Sequence, residues 1–161
     1  MKEISLTQGK VALVDDADYE WLNQWKWYAS SIQSSYSCRF YAKRRVRKGV
    51  LEYMHRLILE LQRNDNREVD HIDGNGLNNQ RSNLRVCTHK QNRQSSRKRK
   101  IGASRYKGVC WNRRRHKWCS YIYVNEKLIH LGYFDSETDA ALAYNHAALN
   151  HFGKFALLNT L

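Results

Sequence analysis

The chain has 161 residues, 42% of them hydrophobic, enough for one ordinary packed domain or two small ones. Lys and Arg number 28 against 15 acidic residues, a net charge of +13, so a polyanionic partner is expected. No long apolar span or polybasic amphipathic helix is present, which favours nucleic acid over a membrane, and Met1-Lys2-Glu3-Ile4 is not followed by the apolar run of a signal peptide. The cysteines Cys38, Cys87, Cys110 and Cys119 form no C-x-x-C pair. A zinc knuckle is therefore not expected, and reduced thiols in a cytoplasmic protein are. Proline is absent, so turns fall to Gly and Asn.

In chain order, Ile4-Ser5-Leu6 and Val11–Val14 are predicted as short strands around Gln8-Gly9. Asp16–Trp25 is predicted helical, with Tyr19, Leu22 and Trp25 on one face. The aromatic cluster Trp25-Lys26-Trp27-Tyr28 is expected in the core. Residues 35–46 alternate through Tyr36, Cys38 and Phe40 and read as a strand. Lys43 to Gly49 is a basic turn, either a solvated hairpin tip or a phosphate contact. Leu51–Leu61 carries Met54, Leu57, Ile58 and Leu61 at helical spacing and is predicted as an amphipathic helix.

The next stretch, 69–94, carries the chemistry. Glu68–Ile72 is strand-like and ends on the pair Asp70-His71. Asp73-Gly74-Asn75-Gly76 is turn chemistry, and Leu84–Cys87 reads as the returning strand. Thr88 is a candidate helix N-cap, with Gln91 completing a capping box. A strand–loop–strand–helix unit of this kind can fold the helix start over the first strand, bringing Asn92 toward Asp70 and His71. A carboxylate and an amide oxygen suit Mg²⁺, which takes oxygen ligands and keeps several waters. His is the usual proton acceptor near neutral pH.

The run DHIDGN…LNN…SNLR.CT…QN resembles the HNH motif of the ββα-metal nucleases over about 25 residues, and most closely the homing-endonuclease branch in which Asn replaces the final His. The resemblance implies His71 as general base, Asp70 and Asn92 as metal ligands, and Asn83 as a residue that braces the loop and orients the His. His89 is an alternative to Asn92 but sits three residues too early for the family spacing. His55 and Arg56 also resemble the homing family. They would contact the scissile phosphate or form a surface pair.

After Asn92 a basic linker is expected over 93–104, with Arg97, Lys98, Arg99 and Lys100 able to follow a phosphate backbone. A second unit is expected over 105–161. Strands are predicted at Tyr106–Trp111, Lys117–Val124 and Leu128–Phe134, with a basic loop at 112–116. Ser136 should then cap a helix bearing Ala140, Ala141, Ala143, Tyr144, Ala147 and Ala148. YKGV, KW, LGYF and TDAALAYNHAAL resemble the APETALA/ethylene-response-factor DNA-binding domain over about 55 residues. In that family the sheet enters the major groove. By position, Lys107, Trp111, Arg113, Arg115, Trp118, Tyr121 and Tyr123 would contact DNA. Tyr121 and Tyr123 stand where plant members usually carry Glu and Arg, His130 replaces a usual Trp, and the first hairpin is about one residue longer. The plant target sequence is therefore not carried over.

The sequence thus predicts an α+β protein: a ββα-metal nuclease domain over 1–92 and a three-stranded antiparallel sheet packed on one helix. It is similar to mobile endonucleases of phages and group I introns. The expected function is Mg²⁺-dependent (or Mn²⁺-dependent) nicking of double-stranded DNA by a monomer in the cytoplasm of a phage or bacterial host. A sequence-specific DNA-binding regulator with a vestigial motif is the alternative. A nuclease of low sequence preference and an RNA-binding module are weaker ones.

Overall fold

The computed structural model describes residues 1–34, 37–95 and 103–161. The basic run 97–100 and much of the expected linker lie outside them. The chain divides into two compact units, Met1–Asn92 and Arg93–Leu161. The described residues form several small antiparallel sheets and four α-helices. None of the helices is long and apolar enough to cross a membrane.

In the first unit, β1 (Lys2–Ser5) pairs with β2 (Val11–Val14), and α1 (Asp16–Asn23) follows. A three-stranded sheet comes next, made of β3 (Tyr28–Ser34), β4 (Ser37–Arg47) and β5 (Val50–Tyr53). Ile4, Ala12, Val14, Leu22, Trp27, Ala42, Met54, Ile58 and Leu84 share one core. Trp27 lies in it as expected, its indole N–H donating to the Leu22 carbonyl at 2.9 Å. The helix expected over Leu51–Leu61 is shorter than its apolar spacing suggests. Its first residues are taken by β5, which pairs Tyr53 with Lys43, leaving α2 only Met54–Ile58. The basic turn is not wholly solvated either: Arg44 meets Glu52 at 2.6 Å and lies 3.5 Å from the centre of the Trp25 ring.

The hairpin β6 (Glu68–His71) and β7 (Leu84–Cys87) leads into α3 (His89–Gln94). Its connecting loop is held by the N-terminal elements. Leu13 N–H donates to the Leu77 carbonyl at 2.9 Å, and Asn79 N–H donates to the Leu13 carbonyl at 2.8 Å. Arg81 forks onto the buried Asp18 carboxylate at 2.8 Å. Gly76 lies so close to β4 that a Cβ there would sit 2.5 Å from the Phe40 carbonyl oxygen and 2.7 Å from the Tyr41 ring.

In the second unit, β8 (Val109–Asn112), β9 (Lys117–Val124) and β10 (Lys127–Phe134) form an antiparallel sheet in the order β10-β9-β8. Helix α4 (Glu137–Phe152) covers one face through Ala140, Ala141, Tyr144, Ala147 and Ala148. Its N-cap Ser136 accepts from the Thr138 and Asp139 backbone N–H groups, satisfying two of the helix's unpaired donors. The first strand begins at Val109 rather than Tyr106, because Gly108 turns the chain with φ +74°.

Candidate active site

Strand alternation divides the hairpin into two faces. Val69 and His71 point with Leu84 toward the core, whereas Glu68 and Asp70 point the other way, Asp70 opposite Arg85. The adjacent Asp70 and His71 therefore leave the backbone on opposite sides.

His71 is 7% exposed. Its Nε2 lies 3.1 Å from Asn79 Oδ1. The Asn79 amide cannot turn round without loss: its Nδ2 donates to the Leu77 carbonyl at 3.3 Å and to Met54 Sδ at 3.5 Å. Oδ1 therefore faces the imidazole and can only accept. This places the proton on Nε2 and the lone pair on Nδ1. Burial lowers the His71 pKa, against the opposing pull of Asn79, Asp73 and Asp70. The ring is thus neutral and able to take a proton at pH 7.

Asn83 braces the loop. It accepts from the Asp73 backbone N–H at 3.0 Å and donates to Asp73 Oδ1 at 3.0 Å and to the Asn78 carbonyl at 2.8 Å. The residue bonded to the catalytic candidate is Asn79, however. The family resemblance implied the orienting role for Asn83, and Asn79 stood in the sequence only as a residue of the turn-rich loop.

On the opposite face, the predicted capping box forms. Thr88 N–H donates to Gln91 Oε1 at 2.9 Å, and Gln91 N–H donates to Thr88 Oγ1 at 3.2 Å. The i,i+3 spacing sets His89 and Asn92 on one side of α3. Both reach Glu68: His89 Nδ1 lies 2.8 Å from Oε1, and Asn92 Nδ2 donates to Oε2 at 2.6 Å. Burial pushes the Glu68 pKa up, but these bonds and nearby cations outweigh it and hold the carboxyl ionised. Asp70 Oδ2 accepts from Arg85 Nη2 at 2.6 Å and Nε at 2.9 Å. Glu68 was missed as a site residue, although its i,i+2 relation to Asp70 was visible in the strand. Cys87 belongs to this hairpin too, but burial beside two carboxylates pushes its thiol up to about 11.

No cluster of three or more His, Cys, Asp or Glu among the described residues could hold a metal. On the Asp70 face the oxygen-bearing side chains are the carboxylates Glu68 and Asp70, with the Asn92 amide bonded to Glu68. Those oxygens suit a hard cation that keeps waters or takes phosphate oxygens in its remaining positions. Arg85 competes with such a cation for Asp70.

Both the phosphate contact and the surface pair expected of His55 and Arg56 need exposed side chains; Arg56 is half-buried and His55 is buried. His55 is 7% exposed, its ring perpendicular to that of His71 with centroids 5.0 Å apart, and Tyr41 and Tyr53 close the cluster. Its buried Nδ1 has no hydrogen-bond partner among the described residues. Burial, then the charges of His71, Arg56 and Lys43, push its pKa down to about 3. The Arg56 guanidinium donates to the carbonyls of Gln62, Asp65 and Arg67, organising the loop before β6. The His55 shift sets a pH dependence. An unfolded His takes its proton near pH 6.5. Between there and about pH 3 the unfolded chain binds a proton that the folded unit refuses. Stability should therefore fall with acidification by roughly 1 kcal/mol per pH unit. Urea unfolding at pH 7 and pH 5 should show a smaller loss in His55→Phe than in the wild type; equal losses would contradict this.

In the second unit, Lys107 is half-buried, and burial pushes its pKa down to about 8. Trp118 does not share the outer face with Tyr121 and Tyr123. The alternation that turns Tyr121 and Tyr123 outward turns Trp118 toward α4, where it packs against the core of Tyr106, Val109, Ala140 and Ala141. Trp111 faces Trp118 across the strands, with ring centroids 5.1 Å apart. Both tryptophans thus lie on the α4 side of the sheet, Trp118 in the core and Trp111 still 38% exposed on the edge strand.

The HNH endonuclease family profile matches residues 52–94, the stretch that holds β6, the loop, β7 and α3. Residues 52–94 form an HNH endonuclease domain. The chain is also similar to Protein 3.8 of Escherichia phage T7, with 40% identity over 59 residues, 37% of this chain and 49% of that protein. The chain thus spans about half the length of that relative. HNH nucleases are generally divalent-metal dependent, in keeping with the oxygen donors on the Asp70 face of the HNH domain.

Asn79→Leu removes the acceptor that fixes the His71 tautomer in the HNH domain. It should slow DNA cleavage at least tenfold while leaving DNA affinity within about twofold. An unchanged cleavage rate would show that Asn79 does not set the ring.

Proposed function

We propose that the chain is a metal-dependent DNA endonuclease of the homing type, nicking double-stranded DNA, with the second unit holding the substrate. The observation that carries this reading is the buried His71, its Nε2 3.1 Å from Asn79 Oδ1, next to Asp70 within the stretch that matches the HNH profile. His71 Nδ1 takes the proton of the attacking water. Asp70 and Asn92 would hold the divalent cation, Mg²⁺ or Mn²⁺, and Glu68 fixes the Asn92 amide. When bound, the metal withdraws charge from the phosphate and stabilises the leaving oxygen. Asn83 keeps the loop closed over the hairpin.

Arg113 and Arg115, in the β8–β9 loop, supply phosphate contacts, as does the basic run 97–100. Each chain carries one HNH centre, so a monomer nicks one strand. A phage or a bacterial host cytoplasm is the proposed setting, supported by the T7 similarity.

One observation favours a second reading, a DNA-binding regulator with a disabled centre: Arg85 already neutralises Asp70. Metal dependence separates the two. Asp70→Ala and Asn92→Ala should each raise the Mg²⁺ concentration for half-maximal cleavage at least tenfold, in the range seen when metal-site groups are altered. A wild type that binds DNA but never cleaves its own flanking DNA, in Mg²⁺ or Mn²⁺, would favour the regulator. An unchanged metal response in Asn92→Ala would move the ligand role to His89.

A further inference from the structure

The sheet of the second unit has one face under α4 and one without a covering element among the described residues. The register places Tyr121 and Tyr123 of β9 on that outer face, beside His130, Leu128 and Tyr133 of β10. Tyr123 is 61% exposed and Tyr133 38%. The rings lie close together: Tyr121 and Tyr123 have centroids 6.2 Å apart, and His130 and Tyr133 4.5 Å apart. The Arg115 guanidinium lies 4.7 Å from the centre of the Tyr133 ring, and Arg113 and Arg114 share its loop.

Reading base edges in a duplex calls for forked donors and acceptors such as Arg, Lys, Asn or Gln. Among the paired residues of this face, Asn112 and Lys117 are of that kind, and both are engaged. Asn112 Oδ1 accepts from the Arg115 backbone N–H at 3.0 Å, and Lys117 Nζ meets Asp135 at 2.9 Å. The face offers instead a group of aromatic rings with a cationic loop at one end. Exposed rings bind bases by stacking, which needs a free base face. In a duplex each base face is covered by its neighbours; in a single strand it is available. The arginine loop and the net charge of +13 match a phosphate backbone running past the rings.

We propose that this face is a stacking platform for single-stranded DNA, with Tyr121, Tyr123 and Tyr133 receiving bases and the 113–115 loop holding phosphates. The inference goes beyond the endonuclease reading and rests on it only for the choice of DNA over RNA.

The test is fluorescence anisotropy of the full chain, in chelator, with a labelled oligo(dT) of about 16 nucleotides. A duplex and an oligo(U) of the same length serve as comparators. Working without metal keeps binding separate from cleavage, so an inactive centre in the HNH domain would not affect the result. Oligo(dT) should bind more tightly than the duplex. Tyr121→Ala and Tyr123→Ala should each weaken oligo(dT) binding roughly tenfold. Tyr121→Phe and Tyr123→Phe, which keep the ring, should bind as the wild type does. Duplex binding as tight as oligo(dT), or alanine variants with unchanged affinity, would overturn the platform. Phenylalanine variants as weak as alanine would overturn stacking as its basis. Tighter binding of oligo(U) would overturn the assignment to DNA.

Discussion

His71→Ala is expected to fold, to bind DNA with unchanged affinity, and to cleave roughly 10²–10⁴-fold more slowly, the usual contribution of a positioned proton acceptor. The imidazole is pointed by Asn79 and enclosed by His55 and Tyr41, and His55, pushed down to about 3, is a poor substitute as proton acceptor. Truncation leaves a cavity beside the core and strands the Asn79 carbonyl oxygen. His71→Gln, which fills the space and keeps a donor for Asn79, separates loss of chemistry from loss of fold. Both variants should be slow, and a His71→Gln enzyme cleaving at the wild-type rate would remove His71 from the chemistry. Because burial already holds the ring neutral, wild-type cleavage should persist below pH 6.5 before it falls; a fall beginning above pH 7 would contradict the environment described for His71.

Gly108→Ala should unfold the second unit selectively. Gly108 has φ +74°, a left-handed conformation that costs an L-residue roughly 1–2 kcal/mol. A Cβ there would also lie 2.6 Å from the Tyr121 carbonyl oxygen and run into the Tyr144 ring. Overpacking of this kind adds roughly 1–3 kcal/mol, and neither backbone nor ring can retreat cheaply, because Tyr144 is fixed in the α4 core. The sum is a large part of a small domain's stability. Amide hydrogen exchange should show protection lost over β8, β9 and α4 and retained over β6 and β7. Unchanged protection in the second unit would show that the strand can shift away from α4.

The parts legible in the sequence are those determined by local chemistry. Glu68–His71 and Leu84–Cys87 appear where their apolar residues and flanking turns put them, and the Thr88–Gln91 and Ser136 caps form where their side chains predict. The losses come from non-local pairing. Val50–Tyr53 has helical spacing but is drawn into a sheet by β4, and Tyr28–Ser34 becomes a strand for the same reason. His55 looks like a surface residue until the hairpin carrying His71 closes over it. Glu68 becomes a site residue only when α3 docks. Trp118 and Tyr121 differ in strand parity, so without a bulge they lie on opposite faces of β9.

The measurement that bears most directly on the central claim is incubation of the purified chain with supercoiled plasmid carrying its own flanking DNA, in Mg²⁺ and in excess chelator. Conversion to the nicked form in Mg²⁺, with none in chelator, is the predicted result. Conversion that continues undiminished in chelator would contradict a metal-dependent centre at Asp70 and Asn92.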